Sequence, residues 1–394
     1  MTDSMNNPGV LLKELFQAGV DAVGGFQATT RALHGYELGN SVYLVAVGKA
    51  SDSMALGALE VLGDKLVSGL VVTKHDHLSE ELKGHSKLSC LESGHPVPDE
   101  SSLLAGQKLV EFVSAIPEDA ELVFLVSGGT SALVEYLNDG LTLDDLKRET
   151  DKLLSSGADI GTMNKHRRTL SKIKGGKLSS YINCKVHQFL ISDVPGDELA
   201  DIGSGLLVPD EATGMPPTLP VWSRITTRII ASSDIAQAAV EQAAKSKGLL
   251  VIQEKGDLHG EMPLVVDRLS KAILDENAQA GVYIWGGEPT VVLPEQPGRG
   301  GRNQHLALAL SKSIAAHGRG AVLVCGTDGT DGPTKEAGGL VTESTVSIAA
   351  SKNLDIDDYL ERADAGSCLE QLDALVTTGP TGTNVMDLAI VILQ

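Results

Sequence analysis

The feature that most limits the possible folds is an alternation. Short apolar, β-branched runs stop at glycine, serine, threonine or aspartate and give way to alanine- and leucine-rich stretches with helical spacing. SVYLVAV (41–47) ends at Gly48 and leads into a helical stretch to about Leu62. KLVSGLVVT (65–73) and KLSCLES (87–93) are the next strand candidates, and 102–116 is the next helix. ELVFLV (121–126), a helix from Leu143 to Leu154, and VHQFLI (186–191) continue the pattern. After the prolines at 209, 216, 217 and 220 the rhythm resumes with a helix over 234–247, LLVIQE (249–254) and a helix over 262–276. VYIW (282–285), a helix opening at GRN, AVLVC (321–325) and a closing LAIVIL complete it. Strands that alternate with helices pair in parallel and are covered on both faces, so the expected class is α/β with largely parallel sheets. Residues 8–34 read as one amphipathic helix, and Met163 to Tyr181 as a basic helical stretch. A length of 394 residues suits two large domains. The end of the proline-rich segment near 232–236 divides them into 1–235, a Rossmann-like α/β domain, and 236–394.

Composition narrows the function. Aromatic residues make up 3% of the chain, so its core must be aliphatic. Its 43 glycines gather in loops at the ends of apolar runs, which favours a protein that cradles ligands over a disordered one. A formal net charge of −20 and a pI near 4.9 argue against nucleic acid and anionic membrane surfaces as partners. Cys90, Cys184, Cys325 and Cys368 lie far apart without a CxxC pair, which predicts free thiols in a reducing compartment. The N-terminus lacks the pattern of a secretory signal, and no apolar run approaches the roughly 20 residues of a bilayer span. The expected location is the cytoplasm; nothing in the sequence speaks to oligomeric state.

Several polar loops are candidates for chemistry. In GRGGRNQHLALAL (298–310) a glycine-rich turn presents Arg299, Arg302 and Asn303 at the entrance of a helix, a pattern suited to an anion such as phosphate. SGGTSA (127–132) offers Gly128 and Gly129 for close backbone approach and Ser127, Thr130 and Ser131 as hydroxyl donors; it reads equally as a capped strand-to-helix turn. Lys49 follows a strand end in VGKAS, where its cation could hold a triphosphate or a carboxylate. Asp193 and Asp197 in SDVPGD could take a proton from a substrate hydroxyl, hold Mg²⁺, or simply form the turn. Asp328 and Asp331 in GTDGTDGPT invite the same readings. Lys165, His166 and Lys177 read most simply as a solvated cationic face. The chain has no GxxxxGK[ST] phosphate loop, no GxGxxG after its first strand, and no HExxH or GxSxG motif.

Taken in order, HPVPDE, SGGTSALV, NKHRRTLSKIKGGKL, SDVPGD, GGEPTV, GRGGRNQ, GTDGTDGPT and GPTGTNVMDL resemble the glycerate 2-kinase family with its MOFRL C-terminal region. Members of that family have often been labelled hydroxypyruvate reductases. The resemblance spans almost the whole chain. It implies two α/β domains, the second of MOFRL type over 236–394, with an active site in the cleft between them. It implies transfer of a phosphoryl group from ATP, with Mg²⁺, to D-glycerate to give 2-phosphoglycerate. Lys49 and Arg302 would then stabilise the transition state, with Asp193 as base or metal-orienting group and Asp197 beside it at the metal. SGGTS, Asn303 and Asp328 would hold the nucleotide. Two departures stand out: His305 follows Gln304 where the family has an acidic residue, and Leu206 follows Ser204-Gly205 where it has proline. A nicotinamide-dependent hydroxypyruvate reductase and a non-catalytic sugar-phosphate-binding protein are the alternatives.

Overall fold

A computed structural model of the chain describes residues 7–155 and 160–394. The chain forms two compact units. One contains Gly24–Ala231 and Gly382–Asn384; the other contains 7–23, Ser232–Thr381 and Val385–Gln394.

The first unit is built on six strands: β1 (Val42–Val47), β2 (Leu66–Lys74), β3 (Leu88–Ser93), β4 (Glu121–Val126), β5 (Lys185–Ile191) and β6 (Ile225–Ala231). They pair in parallel throughout, in the order β3-β2-β1-β4-β5-β6. The central strands are apolar on both faces because helices cover both, and Leu44, Val45, Val123 and Phe124 are fully buried. The chain works outward from β1 to β3 and then returns to β4, so β1 and β4 are neighbours whose onward loops diverge. That is the topological switch point, where open α/β sheets hold ligands beyond the carboxyl ends of the strands. β6 lies just past the proline cluster and was not legible as a strand. It is an edge strand, and its Thr226, Thr227 and Arg228 face outward.

The second unit contains β7 (Val251–Asp257), β9 (Gly281–Gly287), β11 (Gly320–Gly326), β12 (Gly338–Thr342), β13 (Leu375–Val376) and β14 (Asp387–Leu393), with β8 (Gly260–Glu261) and β10 (Pro289–Thr290) as a small separate pair. Its six-stranded order is β13-β12-β11-β14-β9-β7. Here the sheet is mixed: β7 and β9 run parallel, while β14 is antiparallel to both β9 and β11, and β11 to β12. Alternation alone suggested parallel pairing. Loops 327–337 and 377–386 replace crossover helices here, and only a helical or similarly long crossover returns a chain parallel to itself. β12 was hidden by its opening glycines. Gly338 is required there because a Cβ would overlap the Val324 carbonyl on β11.

Two helices replace the single one expected over 8–34, and they belong to different units. Pro8–Val23 buries Leu11, Leu12, Leu15, Phe16, Val20 and Val23 within the second unit. Its Gly19 lies so close to Val240 and Leu388 that a Cβ would come within 2.8 and 3.2 Å of them. Gly24 breaks the helix, and Gly25–Leu33 packs in the first unit, where Gly25 N–H donates to the Gly382 carbonyl at 3.1 Å. The sequence boundary at 235 thus becomes crossings after Val23, after Ala231 and around 382–384. The basic stretch 163–181 is not one helix either. The helix Ile160–Leu170 ends before left-handed Gly175 and Gly176 and the 3₁₀ turn Lys177–Tyr181.

Among the described residues no helix is long and apolar enough to cross a membrane. All four cysteines are free; Cys184, Cys325 and Cys368 are buried and Cys90 is half-buried.

Candidate active site

In the first unit the loops after β1, β3, β4 and β5 carry the candidate groups. Gly48, directly after β1, has φ = +131°, and a Cβ there would collide with the Ser127 hydroxyl and carbonyl. Only glycine permits that approach. The contact fastens two loops together: Lys49 N–H donates to the Gly128 carbonyl at 2.8 Å, and Ala50 N–H to Ser127 Oγ at 3.0 Å. Lys49 is half-buried, and among the described residues no carboxylate pairs with its ammonium group.

SGGTS behaves differently from its reading as a hydroxyl-rich nest. Ser127 and Thr130 are completely buried. The Thr130 hydroxyl donates to the carbonyls of Val47 and Ser127 at 2.9 and 2.8 Å. These two hydroxyls therefore brace the loop and are not presented to a ligand. Ser131 is half-buried and its Oγ lies 2.7 Å from Ser204 Oγ. What the loop does offer is backbone: no described group accepts from the amides of Gly128, Gly129, Thr130 or Ser131. Gly129 is left-handed at φ = +83°.

Asp193 follows β5, half-buried, with its carboxylate lying on the α-carbon of Gly128, where a Cβ would overlap it. Asn384 Nδ2 donates to it at 3.3 Å. Asp193 thus joins the Lys49 and SGGTS loops. Asp197 closes the Pro195–Asp197 turn with φ = +56°, its N–H donating to the Val194 carbonyl. The geometry it shows is that of a turn. Leu206, one of the departures from the family pattern, is buried in the apolar core.

His95, in HPVPDE after β3, reaches the same place. A Cβ on Gly129 would sit 2.9 Å from His95 Cδ2, 3.0 Å from its Nε2 and 3.1 Å from Lys49 Cγ. The imidazole and the lysine stem therefore lie together over one glycine. Burial, and then the positive charge of Lys49, lower the His95 pKa to about 4, so the ring is neutral at physiological pH. In the sequence HPVPDE stands only among the motifs that carry the family resemblance, and no local pattern marks its histidine.

The basic segment is largely structural, and of the solvated face expected for Lys165, His166 and Lys177 only Lys165 is exposed. Arg168 is 6% exposed and bonds the carboxylates of Asp201 and Asp210 and the Ala200 carbonyl. Lys174, buried, forms an ion pair with the fully buried Glu135 and donates to the Ser131 carbonyl at 2.8 Å. Lys177 donates to the carbonyls of Arg168 and Ser171, and burial lowers its pKa. Lys165 is exposed and His166 lies 3.3 Å from Glu149.

In the second unit the GRGGRN loop holds a different arrangement from the expected anion seat. Asp331 takes the entrance of the helix Arg302–His317, accepting from Asn303 N–H at 3.1 Å and Gln304 N–H at 2.8 Å. The chain's own carboxylate fills the place a phosphate would take. Asn303 is buried, with Nδ2 donating to Asp387 at 3.0 Å, and it is not presented to a nucleotide. Asp328 accepts from Thr330 N–H and its hydroxyl, which makes it a turn former. Arg299 pairs with Glu336 and Glu370 at 2.8 Å each. Arg302 places Nε 2.6 Å from Asp387 and donates from Nη1 to Glu288. Burial works against its charge, but Asp387 and Glu288 outweigh that and hold its pKa above the ordinary value. Burial raises the Asp331 pKa to about 7, opposed by the two backbone amides and reinforced by Asp387. His305 is half-buried; burial lowers its pKa, and its Nδ1 has no partner among the described residues.

An α/β unit of strand order 3-2-1-4-5-6 whose switch point carries, among the described residues, a lysine without a carboxylate partner and loop amides without an acceptor belongs to a class suited to small anionic ligands. Comparison with known proteins narrows this. Residues 11–239 match the Domain of unknown function (DUF4147), and residues 281–387 match the MOFRL family. The chain is similar to a D-glycerate 2-kinase of Thermotoga maritima, at 35% identity over 96% of each chain. It is also similar to a glycerate 2-kinase of Pyrococcus horikoshii, at 32% identity over 91% of this chain and 88% of the other. The crystal structure of a glycerate kinase from Thermotoga maritima matches with a TM-score of 0.90, at 32% identity, over 98% of this chain and 99% of that one. The chain belongs to the glycerate kinase family that joins a DUF4147 region to a MOFRL region.

Proposed function

We propose that this protein is an ATP- and Mg²⁺-dependent glycerate 2-kinase that converts D-glycerate to 2-phosphoglycerate. The observation that carries the reading is the Lys49 ammonium group, unpaired among the described residues and set beside free loop amides at the switch point of a chain that matches glycerate kinases over nearly its whole length. A lysine at a strand end without a carboxylate partner is available to an incoming anion.

In the proposed reaction the 2-hydroxyl oxygen of glycerate attacks the γ-phosphorus. The new O–P bond forms as the bond from the γ-phosphorus to the β,γ-bridging oxygen breaks, and ADP leaves. The hydroxyl proton passes to the Asp193 carboxylate and from there to water. Lys49 neutralises charge on the transferring oxygens or on the substrate carboxylate, and the amides of Gly128 to Ser131 donate to the same anions. Arg302 is assigned as the second cation; with its pKa held high by Asp387 and Glu288, it stays charged at any working pH.

Mg²⁺ fits the donor set. Among the described residues no three His, Cys, Asp or Glu side chains cluster to form a protein-only metal site. Mg²⁺ is commonly held by one or two carboxylates together with substrate phosphates and water, and Asp193 is the carboxylate placed to serve it. Bound there, the ion would neutralise phosphate charge. The buried free thiols suit a reducing, cytoplasmic setting.

The test is ³¹P NMR of the protein with ATP, Mg²⁺ and D-glycerate. A growing 2-phosphoglycerate resonance is expected. A 3-phosphoglycerate resonance would keep the kinase and overturn the position of transfer, and unchanged ATP would overturn the reading.

A further inference from the structure

The assigned groups leave one side chain at the switch point without a role. His95 lies over Gly129, as the Lys49 stem does, and among the described residues no hydrogen bond from a ring nitrogen is made. The ring is half-buried, and its nitrogens are left available to a ligand that enters the loop cluster.

Its placement is enforced rather than incidental. Asp99 caps the helix Glu100–Ser114 in a capping box with Ser102, and the same carboxylate accepts from Gly94 N–H at 3.2 Å. His75 Nε2 lies 3.1 Å from the other carboxylate oxygen of Asp99. Gly94 cannot carry a side chain, because a Cβ would fall 2.7 Å from Asp99. The loop that bears His95 is thus pinned at its base, while Gly129 lets the ring settle onto the SGGTS backbone. Glycine is required at 129 both for its left-handed φ and for this contact.

We infer that His95 is a substrate-contacting residue of this site, a neutral imidazole that hydrogen-bonds a hydroxyl oxygen of the small hydroxy-acid acceptor while Lys49 takes an adjacent anionic oxygen. The inference rests on the kinase reading above for the identity of the acceptor. Neutrality suits the role: an uncharged ring can both accept from and donate to a hydroxyl, and it adds no charge to a site whose cation is Lys49. It also explains why the pair can stand so close. Two cations over one glycine would repel; burial first, and the lysine second, keep the histidine deprotonated.

The experiment is histidine-selective ¹³C NMR, with the His95 resonance identified by its loss in H95Q. Adding D-glycerate to the wild-type protein is expected to move that resonance, and adding ATP alone to leave it largely in place. Kinetics supply a second readout. H95A is expected to raise the KM for glycerate on the order of 10- to 100-fold with the KM for ATP within about twofold, and H95Q to recover part of the loss. A His95 resonance that ignores glycerate, or an H95A variant with unchanged KM for glycerate, overturns the inference. If the wild-type protein turns over no glycerate while the resonance still moves, the kinase reading fails and the contact stands.

Discussion

Arg302 answers to two carboxylates at once, and that decides how its removal must be read. Asp387 is 2% exposed, and its only described cationic partner is Arg302, whose side chain is 34% exposed. Replacing Arg302 with alanine strands a buried carboxylate, a change that costs roughly 3–5 kcal/mol for fully buried pairs and about 2–3 kcal/mol here, because water reaches the arginine. R302A is therefore expected to lower Tm as well as kcat/KM, the latter on the order of 10³-fold. R302K keeps the charge without the fork and should recover much of the Tm but little of the rate. A Tm equal to wild type in R302A would refute the ion-pair account, and near-normal turnover would refute the catalytic one. Asp331 makes a separate prediction about pH. Its folded pKa of about 7 lies above the ordinary aspartate value of 3.8, so the folded state holds a proton that the unfolded state releases between those values. That contribution to stability is present at low pH and is lost as pH rises through about 7. In D331N, which cannot titrate, the fall in Tm between pH 5 and 8 should be shallower than in the wild type; equal slopes would show that Asp331 does not titrate there. The position of Lys49 and SGGTS at strand ends could be read from sequence because each directly follows an apolar run. Asp331 as the cap of a helix that begins at Arg302 could not, since the capping partner comes from a distant loop and leaves no local pattern.

Among the elements, the joint between the β1 and β4 loops does the most positioning. Gly48, Ser127 and Thr130 use a positive φ, a buried hydroxyl and two carbonyl contacts to hold Lys49 and the SGGTS amides in one geometry. G48A must both adopt an unfavourable φ and displace Ser127. It is expected to cost about 1–3 kcal/mol in stability and to lower kcat/KM more than a remote substitution of equal thermal cost, because Lys49 moves with the loop. Comparing G48A with a core variant of matched Tm separates the two effects; equal activity at equal Tm would show that the joint does not position Lys49. The same scale shows where periodicity misleads. Lys174 lies in the same basic stretch as Lys165, His166 and Lys177, and its ammonium group is drawn inside by Glu135, which lies 39 residues earlier in the chain. Burial of a lysine is decided by whether a carboxylate waits in the core, and a one-dimensional pattern does not register that. The parallel sheet was legible through its central strands, which are apolar on both faces, and not at the β6 edge, where Thr226, Thr227 and Arg228 are exposed. The mixed sheet was not, because β12 begins with two glycines and reaches β11 through a loop instead of a helix.

For the whole molecule, the instructive feature is that the N-terminal helix belongs with strands more than 200 residues away. Amphipathic spacing over 8–23 correctly marks the buried face, but spacing says nothing about which surface receives it. Six apolar side chains of this helix are buried within the second unit. At ~1.5–3 kcal/mol for each fully buried side chain, the gross burial is on the order of 10 kcal/mol, offset in part by the entropy of ordering the helix. That is comparable with the net stability of an entire domain. A fragment of residues 232–394 is therefore expected to lack a cooperative thermal transition or to melt well below the full chain, since Val240 and Leu388 lose the cover that Gly19 gives them. Adding a peptide of residues 1–23, or fusing it through a flexible linker, should restore a cooperative transition and protect the β11 and β14 amides from hydrogen exchange. If 232–394 alone melts cooperatively at the temperature of the full chain, the helix contributes little to that unit, and the matched family regions mark where it could be cut.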